Sequence, residues 1–79
     1  MTCVGRLAGI AIYIYPDDHA PPHVHAYYGD DEVLLVIGTG DIYVGSLPRP
    51  QLAEARAWLT RNEAVLRATW LRLNPPRSP

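Results

Sequence analysis

Phenylalanine and lysine are absent from this chain of 79 residues, and cysteine and methionine occur once each. The lone Cys3 excludes an intramolecular disulfide and any metal site built on several thiolates, which fits a reducing cytoplasm. Without Phe, the aromatic weight rests on five Tyr and two Trp, whose polar atoms need partners when buried. Without Lys, all seven basic residues are arginines. A long apolar run is also missing: the opening residues carry only Arg6 and lead into Tyr13, Tyr15, Pro16 and two aspartates. They have neither the flanks of a signal peptide nor the length of a membrane span, so the expectation is a soluble, unprocessed cytoplasmic protein. No Gly-rich phosphate loop, nucleophile elbow, internal repeat or interdomain linker is present.

What is there suits one small folded domain. The apolar share is 48%, ordinary for a globular chain, yet at this length apolar burial barely offsets ordering entropy, so a dimer or a partner is expected. Charge is unevenly placed. Residues 1–48 carry Arg6 against six acidic residues, a balance of −5, while residues 49–79 carry six arginines against Glu54 and Glu63, a balance of +4. An acidic front and an arginine-rich back suit mutual attraction in a dimer, an acidic partner or phosphates; a solvated helix face is the plainer reading.

Gly9 to Tyr15 alternates, with Ile10, Ile12 and Ile14 on one side and Ala11, Tyr13 and Tyr15 on the other, which predicts a strand ended by Pro16. His23 to Tyr28 alternates again, with His23, His25 and Tyr27 on one face and Val24, Ala26 and Tyr28 on the opposite one. Gly29-Asp30-Asp31 reads as a turn into an apolar strand over residues 32–37, whose two-sided apolarity calls for cover on both faces. Residues 42–45 read as a fourth strand. From Pro48 the spacing becomes helical through Leu52, Ala55 and Leu59. Thr60-Arg61-Asn62-Glu63 matches a capping box, which predicts a break and a second helix through Leu73. The expected architecture is α+β: a four-stranded, mainly antiparallel sheet followed by two C-terminal helices. The domain spans residues 1–74, with a flexible Pro-rich tail over 75–79. Its expected core is Ile10, Ile12, Ile14, Val33, Leu35, Ile37, Leu52, Leu59, Leu66 and Trp70.

All three histidines fall in the segment Asp17-Asp18-His19-Ala20-Pro21-Pro22-His23-Val24-His25-Ala26. Two histidines at i and i+2 on a strand stand about 6–7 Å apart on one face, close enough to converge on one ion or phosphate. Pro21 and Pro22 stiffen the approach from His19, and Asp17 or Asp18 can orient an imidazole through its second N–H. Three readings follow. His19, His23 and His25, with Asp18 or water, suit a transition metal such as zinc, nickel, copper or iron. The same histidines suit metal-free acid–base catalysis of RNA cleavage, with Arg49, Arg56 or tyrosines stabilising the developing charge. The plain alternative is that the rings cap turns, pack on Tyr13 or Tyr15 and touch a partner. Tyr13, Tyr15 and Tyr27, sharing the histidine face, form a surface for a protein partner or for stacked RNA bases, the protein interface being favoured by the acidic front and the lack of Lys. Arg49, Arg56 and Arg67 are further candidate contacts. Trp58 and Trp70 read as core or interface anchors.

The run His19-Ala20-Pro21-Pro22-His23-Val24-His25-Ala26, together with Gly9-Ile10, Gly29, Gly45-Ser46-Leu47-Pro48-Arg49 and the Trp-containing helical tail, resembles a small bacterial family, domain of unknown function 4160, over residues 5 to about 73. The chain departs from many relatives at Val24, where an aromatic is common. The resemblance implies a cytoplasmic protein encoded beside another small protein, in pairs labelled toxin–antitoxin modules, and marks His19, Pro21, Pro22, His23 and His25 as the family motif without assigning their role. The leading expectation is a component of such a pair, acting through its partner and potentially RNA-directed; the alternative is a small metal-binding protein.

Overall fold

Alternation of isoleucine with alanine and tyrosine builds the centre of the sheet. Ile10, Ile12 and Ile14 are all buried, whereas Ala11 and Tyr13 between them stay partly open. The computed structural model describes residues 1–76. In chain order it contains β1 (Thr2–Leu7), β2 (Ile10–Ile14), β3 (His23–Tyr28), β4 (Asp31–Val36), β5 (Ile42–Gly45), α1 (Arg49–Arg61) and α2 (Glu63–Leu73). The strands form a meander in the order β1-β2-β3-β4-β5, every neighbouring pair antiparallel. The fold is α+β as expected, with five strands rather than four.

The additional strand is β1. Its sequence, with Gly5 and Arg6 in the middle, lacks the apolar alternation that marks the others, and its pairing with β2 shifts register between Cys3 and Gly5. It is held by tertiary contact: β2 pairs with it through the Ala8-Gly9 turn, where both residues have positive φ (47° and 76°), the pattern of a type I′ hairpin. Trp58 from α1 also packs over it. A Cβ on Gly5 would fall on the Trp58 ring, so glycine is what lets the indole lie against the strand.

Both helices cover one face of the sheet. Ile10, Ile12, Ile14, Val24, Ala26, Val33, Leu35 and Ile37 meet Leu47, Ala55, Leu59, Leu66 and Trp70 in one buried cluster, with Leu52, Trp58 and Leu73 partly buried at its margin. Each fully buried aliphatic side chain contributes roughly 1.5–3 kcal/mol. The opposite face, with Tyr13, Tyr15, His25, Tyr27 and Leu34, has no layer over it among the described residues, and Leu34 and Val36 are half-buried there.

The helix break falls where expected, but a capping box does not make it. Thr60 donates its hydroxyl to the Arg56 carbonyl (3.1 Å), and Glu63 accepts from Arg67 (3.0 Å). Asn62 is the interrupting residue, its side-chain amide donating to the Trp58 carbonyl at 2.8 Å. In α2, Asn74 follows directly as the C-cap. Of the tail expected over 75–79, Pro75 and Pro76 are exposed and outside any element; residues 77–79 lie outside the described residues.

The Gly5 contact generates a prediction. Gly5→Ala is expected to destabilise the fold by about 1–3 kcal/mol through overpacking, seen as a lower urea midpoint at unchanged slope, while Arg6→Ala on the exposed side stays within about 0.5 kcal/mol. Equal midpoints for the glycine variant and the wild type would contradict the packing described.

Candidate metal centre

Two of the three histidines lie on β3 and the third on the connection that leads into it. That connection, residues 15–22, has no regular structure and carries Asp18 back over the end of the sheet. His23 opens β3, and although alternation assigns it to the open face, its ring is 1% exposed. It sits among Trp70 of α2 (5.2 Å between ring centroids), Tyr43 of β5 (5.7 Å) and His25 (5.1 Å). His25 follows on the same face, edge-on to Tyr15 at 4.4 Å.

The Nδ1 atom of each ring is committed to an oxygen. His19 Nδ1 lies 3.2 Å from the Ala20 carbonyl, His23 Nδ1 2.7 Å from the Pro21 carbonyl, and His25 Nδ1 3.0 Å from Glu32 Oε2. A carbonyl or carboxylate only accepts, so each Nδ1 carries the proton and donates it; Nε2 is then a bare lone pair on a neutral ring and an N–H on a protonated one. All three Nε2 atoms turn towards Asp18: 3.0 Å to Oδ2 for His23, 3.3 Å to Oδ2 for His25 and 3.9 Å to Oδ1 for His19.

Asp18 is anionic. Burial raises its carboxyl, but the hydrogen bond from the His19 amide and, with the rings protonated, the hydrogen bond from His25 and the charges of the His23 and His25 rings outweigh that and hold it below its ordinary value. A carboxylate oxygen and a bare imidazole nitrogen 3.0 Å apart are two acceptors facing each other, and His23 Nε2 is buried with no hydrogen bond among the described residues. Such a contact is repulsive unless a cation lies between, either a proton or a metal ion. Asp18, His23 and His25 each offer a ligand atom within 4.8 Å of the others. Two ligands of a tetrahedral zinc at 2.0–2.1 Å stand about 3.3 Å apart, close to the separations seen here.

The expected site residues are therefore only partly brought together. Asp18, His23 and His25 form the cluster, and His19 stands at its rim with its side chain 71% exposed. Tyr13, Tyr15 and Tyr27 share the open face with His25, and the Tyr15 and Tyr27 hydroxyls are 2.7 Å apart. Burial, the Tyr15 hydroxyl and Glu32 all push the Tyr27 phenol above its usual range, so it stays protonated. The arginines lie elsewhere: Arg56 donates to the Gly40 carbonyl and Arg67 to Ile37 and Glu63, while Arg49 is exposed at the start of α1. No hydrogen bond or ion pair joins an arginine to a histidine among the described residues.

Glu32, Tyr43 and Asn74 were not expected at the site. Glu32 reaches His25 because β3 and β4 pair Tyr27 with Glu32 and His25 with Leu34, which makes Glu32 a diagonal neighbour on the same face. Asn74 accepts from the Asp18 amide at 2.6 Å and donates to the Tyr15 carbonyl at 3.0 Å. A cleft of about 490 Å³, lined by Asp17, Asp18, Ala20, Asn74 and Pro75, opens beside this clamp.

Compared with known proteins, the chain matches the family model described as Domain of unknown function (DUF4160) over residues 9–71, from the turn before β2 into α2. No curated protein and no solved structure matches.

The ring anchors predict the tautomers. Long-range ¹H–¹⁵N correlation of the metal-free protein under mildly alkaline conditions is expected to show His23 and His25 protonated at Nδ1 and bare at Nε2. An Nε2–H tautomer at His23 would mean that the Pro21 contact does not orient the ring.

Proposed function

The chain belongs to the DUF4160 family, and we propose that it binds a divalent transition-metal ion, zinc by its donor set, through Asp18 Oδ2, His23 Nε2 and His25 Nε2. The observation that supports this most is His23 Nε2, which is buried, without a hydrogen bond among the described residues and aimed at a carboxylate oxygen 3.0 Å away. Two neutral imidazoles and one carboxylate make a borderline, nitrogen-rich set that suits zinc, and suits iron or nickel where other positions stay open. The Nδ1 partners, Pro21 and Glu32, are what such sites use to fix ring orientation and raise ligand basicity. His19 is the residue placed to supply a fourth donor. Its ring centroid is 5.9 Å from that of His23, against about 5.2 Å for two imidazoles on one tetrahedral ion, and its exposure leaves the side chain free to turn.

Purified protein is expected to take up one zinc per chain. Asp18→Ala and His25→Ala are expected to weaken binding about a hundredfold or more, and His19→Ala about tenfold, measured by competition with a chromophoric chelator. Wild-type protein that leaves all zinc with a weak chelator at neutral pH would end this reading.

A second reading, the partner-dependent role in a two-gene pair that the family resemblance implies, draws support from β5. This edge strand is uncharged and exposes Ile42, Tyr43 and Val44 (44%, 43% and 55%), where edges are usually guarded by charge or proline. Such an edge suits strand addition by a partner or a second copy, and an RNA-directed role would use the Tyr13, Tyr15 and Tyr27 face. On this reading Val44→Lys abolishes co-purification with the protein encoded beside it and leaves zinc affinity unchanged; co-purification that survives the lysine would remove β5 as the contact.

A further inference from the structure

We propose that Asn74, the first residue past α2, is a positioning residue for Asp18, and that it makes ion binding and the docking of the last turn of α2 one linked equilibrium. The inference rests on the metal reading above and goes beyond it, since it assigns a residue outside the matched stretch and a consequence for a helix.

Asp18 sits on a connection with little else to hold it. Among the described residues, its backbone has one hydrogen bond to the rest of the fold, the 2.6 Å bond from its amide to Asn74 Oδ1. The Asn74 Nδ2 group donates to the Tyr15 carbonyl at 3.0 Å, at the point where β2 gives way to the connection. One side-chain amide thus spans 56 and 59 residues of sequence and fixes both ends of a four-residue arc. Its orientation is set by chemistry, because the Asp18 N–H can only donate and the Tyr15 carbonyl can only accept. Alanine removes both bonds.

The same helix supports a second ligand. Trp70, 5% exposed, lies against the His23 ring at 5.2 Å, and the Asn74 backbone N–H donates to the Trp70 carbonyl at 2.7 Å. The end of α2 therefore backs Asp18 through Asn74 and His23 through Trp70. An ion that needs Asp18 and His23 in register binds the docked helix better than the undocked one, and by linkage its binding holds the helix down. Conversely, anything that lifts α2 by its exposed side, where Val65 and Leu71 are 66% and 54% accessible, releases the ion.

The test compares Asn74→Ala with Ala68→Gly, an exposed mid-helix change that weakens α2 through propensity alone, using Zn²⁺ competition with a chromophoric chelator and hydrogen exchange across residues 63–73. In the wild type, Zn²⁺ is expected to slow exchange at the last turn of α2. Asn74→Ala is expected to bind Zn²⁺ about 10–100-fold more weakly and to lose that slowing, whereas Ala68→Gly lowers the melting temperature yet keeps wild-type affinity within about twofold. Wild-type Zn²⁺ binding with Asn74→Ala within about twofold of it, or an equal loss in Ala68→Gly, overturns the positioning role alone. Absence of Zn²⁺ binding by the wild type overturns the metal reading and this inference together.

Discussion

The site depends on the meeting of one anionic carboxylate with two imidazole nitrogens that either share a proton with it or face it as bare lone pairs. Asp18 Oδ2 faces His23 Nε2 at 3.0 Å and His25 Nε2 at 3.3 Å, and the rings donate their Nδ1–H groups to the Pro21 carbonyl and the Glu32 carboxylate. In water such a contact would open. Here it is closed by structure around it: Trp70 and Tyr43 flank His23, Tyr15 stands edge-on to His25, and Asn74 pins the Asp18 backbone. A low-dielectric setting makes unpaired acceptors more costly and raises the affinity for any cation that separates them.

The alternation of β3 and the route of the connection before it explain why a sheet of this size builds such a place. A two-residue step puts His23 and His25 on one face, but only the end position is reached by α2 as well as by the sheet. His23 is therefore sealed while His25 keeps 15% of its side chain in solvent. A proton can occupy the gap too, converting one ring to imidazolium and pairing it with Asp18. On the proposed metal reading the two occupants would compete for the same lone pairs, as at any histidine–carboxylate site.

Much of this was legible in the sequence where periodicity carried it. The pairs His23/His25 and Val24/Ala26, the isoleucine face of β2 and the apolar stripes of both helices all follow from spacings of two and of three to four. Strand β1 was not legible, because Gly5 and Arg6 break its pattern and its place depends on Trp58, more than fifty positions away. Of the site, Asp18 and the two strand histidines could be read directly. Glu32 could have been found from the hairpin alone, since a two-residue turn at Gly29-Asp30 pairs Tyr27 with Glu32 and makes His25 its diagonal neighbour; placing the turn one residue longer hid it. Asn74 left no local signal. It reads as the residue that ends a helix before two prolines, and its function comes from where α2 delivers it.

Charge provides the last constraint on what the site can hold. Two neutral imidazoles add nothing, Asp18 contributes one negative charge, and Glu32, hydrogen-bonded to His25 Nδ1 at 3.0 Å, contributes another at the boundary with solvent. A divalent cation at the Nε2 and Oδ2 atoms brings that set to neutrality. A single proton leaves it one charge short, in a pocket walled by Trp70, Tyr43, Tyr15 and a Tyr27 held in its neutral form. On the proposed metal reading a divalent cation would balance both carboxylates, whereas a proton would leave the remaining charge to solvent at Glu32, whose side chain is 43% exposed. Glu32 orients His25 by accepting its Nδ1–H, and on the metal reading it would also supply the second half of the compensating charge.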